Sequence, residues 1–246
     1  MRRLRLVAGI VAALLPALLL LACGKAEAPE RELTATPSAT QAAAITVDEP
    51  QPGAKVNVPV TVKGTASVFE GTVQVAVKDA GGKTLCQTFA TASEGAPGRG
   101  SFQARVFFPP PATASGGTVE VFSESPKDGS VEDLVSVPVT VSNEQPAVVV
   151  TAPLCGAQVR SPVLVEGTAS VFEGAVVIVV RDSLGNELVR VSTQASVGAP
   201  DRGTFSQEVS LPPPSASQFD TIEAFSTSAA DGSVQNLFSV PVVFTP

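Results

Sequence analysis

The chain has 246 residues, with 16 basic and 23 acidic side chains, and it contains no histidine, tyrosine or tryptophan. This composition excludes histidine-based triads, histidine metal ligands and tyrosine acids. The net charge of −7 also argues against nucleic acid and anionic membrane surfaces as direct partners.

The first 22 residues have the pattern of a secretory signal. Three arginines at positions 2, 3 and 5 precede an almost wholly apolar run from Leu6 to Ala22 that is broken by Pro16. The end of the run, Leu20-Leu21-Ala22-Cys23, resembles the bacterial lipobox, which implies that Cys23 is lipidated and becomes the new N-terminus. The alternative is an uncleaved anchor, although 17 residues barely reach across a bilayer. We therefore expect an extracytoplasmic protein that a lipid on Cys23 anchors to the bacterial membrane.

Residues 23–44 are predicted to form a disordered tether. The stretch is rich in Ala, Pro, Thr, Ser and Glu, and it has no aromatic residue and no hydrophobic periodicity. Such a segment buries too little apolar surface to order itself. Cleavage before Cys23 would leave 13 basic and 23 acidic residues, a net charge of −10, so the lipid must provide the membrane attachment.

The rest of the chain consists of two tandem repeats of one domain. The octapeptide GTASVFEG occupies 64–71 and again 167–174, an offset of 103 residues without a gap. Three further motifs return at the same offset: PPP at 109–111, DGSV at 128–131 and VPV at 137–139. We assign repeat 1 to 45–142, a short linker to 143–147 and repeat 2 to 148–246, and we expect the linker to prevent wide independent movement.

Each repeat is predicted to be an all-β, antiparallel sandwich of the immunoglobulin type. Apolar and polar residues alternate in short segments, which indicates half-buried strands. The seven predicted strands of repeat 1 are separated by Gly, Pro, Ser and Asp, as in β-sandwiches. They are 45–48, 58–63, 73–78, 84–89, 102–108, 118–122 and 135–141.

The repeated motifs resemble the immunoglobulin-like domain named for bacterial spore-germination proteins. The likeness rests on GTASVFEG, on the P-x-x-G-x-x-V-x-x-P-V pattern from Pro50 to Val60, and on the closing DGS and VPV segments. That family is attached to other modules on secreted or lipid-anchored proteins and is not known as a catalyst. The resemblance implies an extracytoplasmic adhesion or scaffold module, with a link to the cell envelope or to sporulation and germination.

Six carboxylates are the remaining candidates for chemistry. They are Glu70, Glu120 and Asp128 with their counterparts Glu173, Glu223 and Asp231. They could form a glycosidase-like pair or a calcium site. We favour the simpler interpretation, in which Glu70 and Asp128 bond nearby amides in turns and Arg99 and Arg202 balance acids. We therefore predict no catalytic residue, no metal site, no cofactor and no enzyme activity.

Differences between the repeats are where separate roles could lie. Val177 and Val179 replace Gln74 and Ala76, and Phe107 corresponds to Ser210. Val177, Val179 and Phe107 are our candidate partner surface. The alternative is that they pack inside the protein, against a loop or where the repeats meet.

The two other cysteines are predicted not to form a disulfide. Cys86 and Cys155 occupy non-equivalent positions, and end-to-end stacking of the repeats would place them on the order of 25 Å apart. A disulfide requires Cα atoms within roughly 7 Å. Side-by-side repeats are the alternative that would allow the bond.

Two functions remain open. One is a non-enzymatic binding or scaffold module that contacts another envelope protein or a cell-wall component. The other is a sensor or carrier that binds a small ligand or calcium in its loops.

Overall fold

Sixteen β-strands account for the regular structure of residues 43–246, the part of the chain that this computed structural model describes. The signal sequence, Cys23 and nearly all of the predicted tether lie outside it. Repeat 1 contains β1 (Ile45–Glu49), β2 (Lys55–Val56), β3 (Val60–Ala66), β4 (Thr72–Asp79), β5 (Thr84–Thr91), β6 (Gly100–Val106), β7 (Ser115–Glu124) and β8 (Val131–Val141). Repeat 2 contains β9 (Val148–Ala152), β10 (Gln158–Val159), β11 (Val163–Ala169), β12 (Ala175–Arg181), β13 (Glu187–Gln194), β14 (Gly203–Val209), β15 (Gln218–Thr227) and β16 (Val234–Phe244).

Each repeat forms a sandwich of a three-stranded and a five-stranded sheet. The strand orders are β1-β3-β6 and β2-β8-β7-β4-β5 in repeat 1, and β9-β11-β14 and β10-β16-β15-β12-β13 in repeat 2. All pairs are antiparallel except β2–β8 and β10–β16. The predicted all-β, immunoglobulin-like class is confirmed. Each repeat has one strand that we did not predict, β2 or β10, because its two residues are too few to show an alternation in the sequence.

Alternating valines build the core from both sheets. Val60 and Val62 on β3 are fully buried, while Thr61 and Lys63 between them are only half-buried. Val75 on β4 closes the core from the opposite sheet. Full burial of one valine side chain contributes roughly 1.5 to 3 kcal/mol, so this alternation fixes which face of each strand points inward.

The first glycine of GTASVFEG permits a close approach of two strands. A Cβ on Gly64 would overlap the carbonyl oxygen of Thr46 on β1 and lie 2.8 Å from the Phe102 ring. Gly167 stands in the same relation to Val149 and Phe205, whose ring would be 2.7 Å or less away. Only glycine fits at this position in either repeat.

The last residues of the octapeptide form a single 3₁₀ turn, Phe69–Gly71 in repeat 1 and Phe172–Gly174 in repeat 2. Glu70 and Glu173 adopt left-handed φ angles of 52° and 53°. The prediction that Glu70 lies in a turn is therefore confirmed, but in the described part of the chain its carboxylate does not bond an amide as we expected. The turn leaves Phe69 exposed at the surface, and Phe172 is exposed in the same way.

A disulfide joins the two repeats, contrary to our prediction. Cys86 and Cys155 are bonded, with a Cα–Cα distance of 5.3 Å. Cys86 lies on the edge strand β5, where it pairs with the core residue Val77 of β4 and belongs to the core itself. The turn between β9 and β10 carries Cys155 to this edge strand, where its Sγ lies 3.5 Å from the Gln87 carbonyl oxygen. The assumption of end-to-end stacking was wrong, because repeat 2 contacts the side of repeat 1 at this point.

Candidate binding groove between the repeats

The outer position Val179 of repeat 2 is covered by charged side chains of the same sheet. Val179 is 0% exposed and Val177 is half-buried. Val179 lies between Arg190 on β13 and Glu223 on β15. The long stems of such residues cover apolar surface while their charged ends stay in water. Val179 is therefore unavailable to a partner, whereas Val177 stays partly exposed between Ser192 and Phe225.

The covering side chains form one ion-pair network. Arg181 Nε lies 2.8 Å from Glu223 Oε2, and Arg190 Nη2 lies 2.6 Å from Glu187 Oε2. The Arg190 guanidinium also lies 5.7 Å from the ring centroid of Phe225, within the range of a cation–π contact. Hydrogen bonding to Arg190, with the charges of both arginines, lowers the pKa of Glu187.

Phe107 is an internal contact between the repeats. It is only 6% exposed, and its ring centroid lies 5.4 Å from that of Phe238 in an edge-to-face arrangement. The Arg105 guanidinium lies 5.1 Å from the Phe107 ring centroid. Of the two interpretations of Phe107, the structure favours packing where the repeats meet, which corrects its assignment to a partner surface.

Asp128 and Asp231 each accept hydrogen bonds within the turn in which they lie. Asp128 Oδ1 accepts hydrogen bonds from the Ser130 hydroxyl at 2.7 Å and the Ser130 backbone N–H at 3.1 Å. Asp231 makes the same contacts with Ser233 at 2.8 and 3.0 Å. The hydroxyl bond is the main cause of the lowered pKa of each aspartate. The predicted turn role is confirmed, and residues 43–246 contain no cluster of three or more metal-ligating side chains.

Arg99 and Arg202 do not balance acids as we expected. Arg99 donates hydrogen bonds to the Thr65 hydroxyl and the Ala43 carbonyl oxygen. Arg202 donates at 3.0 Å to the Thr168 hydroxyl and at 2.7 Å to the Pro146 carbonyl oxygen. Each arginine holds the segment that enters its repeat, and burial lowers the pKa of Arg202.

A groove of about 1060 Å³ separates the outer faces of the two five-stranded sheets. Its repeat 1 wall includes Gln87 and Phe89 on the edge strand β5. Its repeat 2 wall includes Phe219 on β15 and Pro241 on β16. Phe89 is 64% exposed and Phe219 is 72% exposed, so each wall presents an aromatic ring to solvent.

Carboxylates outnumber cations in the groove. Four line it, Glu124, Asp182, Asp220 and Glu223, beside the single cation Arg181. Asp182 accepts hydrogen bonds from Asn186, which lower its pKa and keep it ionised. The groove is therefore an acidic site with apolar walls.

Asp220 is the buried member of this set, with 4% exposure. Burial raises its pKa, and the neighbouring Asp182 charge acts in the same direction. The Gln218 side-chain amide opposes this by donating at 3.1 and 3.0 Å to the two carboxylate oxygens. Among the carboxylates of the groove with a shifted pKa, Asp220 is therefore the one whose pKa is raised.

Reasoning from the sequence missed this groove because its walls come from different repeats. Phe89 and Phe219 are exposed strand residues, each followed by a buried residue, and an exposed phenylalanine in a strand was the only signal in the sequence. The disulfide that joins the repeats lies beside both walls, at Gln87 and Gly156.

The fold defines a tandem immunoglobulin-like protein with a groove at the joint of its two sandwiches. The sequence model of the immunoglobulin-like domain of bacterial spore germination matches residues 44–130 and 147–233. The chain belongs to this family, as the repeated motifs indicated. A comparison with curated proteins found no match.

Solved structures with a similar arrangement are remote in sequence. The fibronectin(III)-like modules of Clostridium thermocellum CbhA are 14% identical, cover 82% of this chain and 94% of their own, and give a TM-score of 0.24. Dimeric latent PorU from Porphyromonas gingivalis is 10% identical, with 80% and 23% covered and a TM-score of 0.27. A Salmonella alpha-2-macroglobulin mutant is 12% identical, with 82% and 14% covered and a TM-score of 0.29. At these scores the likenesses carry no argument about function.

Proposed function

We propose that this protein is a non-enzymatic binding or scaffold module of the bacterial cell envelope, anchored to the membrane by a lipid on Cys23. Its partner is another envelope protein or a cell-wall component. The family assignment supports an immunoglobulin-like binding module. The motif Leu20-Leu21-Ala22-Cys23 supports the lipid anchor.

The observation that carries the proposal is the disulfide between Cys86 and Cys155. Structural disulfides persist in oxidising compartments and are rare in the cytosol. The bond therefore supports export independently of the signal sequence. Within residues 43–246, no helix is long and apolar enough to cross a membrane.

Metabolic labelling with a palmitate analogue tests the anchor. The wild type should take up label and sediment with membranes, whereas Cys23→Ala should be unlabelled and released. Cys155→Ser is the matched control, because it removes a cysteine without touching the lipobox and should stay labelled. An unlabelled wild type together with a membrane-bound Cys23→Ala variant would contradict the proposal.

Cross-linking in intact cells tests the binding role. A reagent that does not cross the cytoplasmic membrane should link the wild type to the same envelope component in repeated experiments. Cross-links to cytosolic proteins alone would contradict the envelope location.

A further inference from the structure

We propose that the groove between the repeats binds an extended basic peptide segment of a partner protein, which adds as a strand along the free edge of β5. The inference rests on the proposed function and names the part of the surface that carries it. Four features of the groove support it: a free strand edge, exposed aromatic rings, negative charge and fixed walls.

The first feature is the unpaired edge of β5. This strand pairs with β4 on one side and with no strand of residues 43–246 on the other. Gln87, Thr88 and Phe89 are consecutive and all line the groove, so the backbone edge itself faces it. The free N–H and C=O groups of such an edge are a template for an added strand.

The second feature is the pair of aromatic rings. Phe89 on one wall and Phe219 on the other are mostly exposed, and neither contributes to the core. Pro241 and Val243 extend the apolar wall beside Phe219. In an extended peptide, side chains alternate between two faces, so one set of apolar side chains would contact these rings.

The third feature is charge, which favours a cationic ligand. The one cation of the groove, Arg181, is already paired with Glu223 at 2.8 Å and lies 3.8 Å from Glu187. Asp182 and Glu124 make no salt bridge in the described part of the chain. Lysine or arginine side chains of a peptide would complement these carboxylates, whereas anionic polymers would be repelled.

The fourth feature is the covalent link between the walls. The disulfide from Cys86 to Cys155 starts one residue from Gln87 and ends one residue from Gly156, and both of these line the groove. Walls that are already in place lose less conformational freedom when a ligand binds.

Fluorescence anisotropy with a labelled acetyl-(Lys-Val)4-amide peptide tests the inference on the purified chain. The peptide should bind saturably with 1:1 stoichiometry, and added salt should weaken it. Phe89→Ala and Phe219→Ala should each raise the Kd by about fivefold or more. Phe172→Ala is the matched control: this exposed ring lies outside the groove and its removal should leave the Kd unchanged.

Two further probes test the mode of binding. A peptide of the same sequence with N-methyl groups along one edge should lose most of its affinity, because it cannot pair with β5. The acidic peptide acetyl-(Glu-Val)4-amide should not bind. A wild type that fails to saturate at about 1 mM peptide, or that binds all three peptides equally, overturns the inference.

The outcomes separate this inference from the proposed function. Tighter binding of a chitin oligosaccharide than of the basic peptide would overturn the peptide assignment. Envelope cross-links that survive both Phe89→Ala and Phe219→Ala would place the partner on another face. In either case the label on Cys23 and the cross-links themselves still decide the proposed function.

Discussion

The two repeats share one frame but differ on the outer face of the larger sheet. In repeat 1, Ala76 is accompanied by a single ion pair, from Lys78 to Glu120 at 2.7 Å. In repeat 2, the larger Val179 lies beneath a network of two arginines and two glutamates. Inward positions of the repeats are fixed by core packing, whereas outward positions were free to acquire different surfaces.

The joint between the repeats is likewise built from positions at which the two repeats differ. Cys86 corresponds to Val189, and Cys155 corresponds to Pro52. The joint uses the side of repeat 1 and a turn of repeat 2, so it needs each cysteine in only one copy. The two repeats therefore share the scaffold, and residues in which they differ form the joint.

The largest expected effect is at this joint. The double variant Cys86→Ser/Cys155→Ser should lose about 4 kcal/mol of unfolding free energy, because the bond closes a sequence separation of 69 residues. Urea unfolding under non-reducing conditions measures it, and the reduced wild type should show the same loss. Mass spectrometry of the unreduced wild type should find the two cysteines in one linked peptide. Two free thiols at these positions would contradict the joint.

The next largest effect is a loss of stability on substitution of Gly64 or Gly167, and this loss should be equal in the two repeats. Gly64→Val and Gly167→Val should each cost roughly 3 kcal/mol, because the new side chain overlaps a strand carbonyl and a phenylalanine ring. Gly82→Ala is the matched control: no atom lies within 4 Å of its added Cβ, and only its φ of 82° is unfavourable, at about 1 kcal/mol. Thermal unfolding of the three variants checks this. Unequal costs at Gly64 and Gly167 would show that the repeats do not share this contact.

A smaller loss of stability should distinguish two outward-facing positions of repeat 2, Val179 and Val177. Val179→Ala should cost about 2 kcal/mol, because it removes two buried methyl groups and leaves a cavity beneath the ion-pair network. Val177→Ala, which is half-buried, is the control and should cost less than about 1 kcal/mol. Denaturant unfolding gives both values. Equal losses would mean that the charged side chains do not cover Val179.

The smallest effect is a pH dependence of stability that arises from Asp220, a residue of repeat 2 only. Asp220 has a raised pKa in the folded state, so its contribution to stability is complete below the unfolded pKa and is lost as pH rises through the folded pKa. Asp220→Asn should therefore reduce the fall in stability as pH rises from the acid range toward neutral. Melting curves at several pH values measure this.

Repeat 1 provides the comparison for this prediction. Gly117 stands at the corresponding position, and a Cβ there would lie 2.7 Å from the Lys78 carbonyl oxygen. Repeat 1 therefore has no titrating group at this point. An unchanged pH profile in Asp220→Asn would show that burial does not destabilise the charged carboxylate.

The sequence by itself determined the duplication, the alternation of buried and exposed residues, the turn aspartates and the family. These features depend on neighbours along the chain: a strand alternates with period two, and Asp128 bonds a serine two residues away. Val60 and Val62 could be assigned to the core for the same reason. The two-residue strands were too short for such a pattern.

Only the tertiary structure decided the disulfide, the burial of Val179 and Phe107, and the groove. Each depends on residues that are distant in sequence, such as the 69 positions between Cys86 and Cys155. A period-two pattern shows which side of a strand a residue faces, but it does not show which other element covers that side. For Val179 the cover is an ion-pair network, and for Phe107 it is the other repeat. The exposed rings of Phe89 and Phe219 line one groove only because a turn of repeat 2 contacts the side of repeat 1.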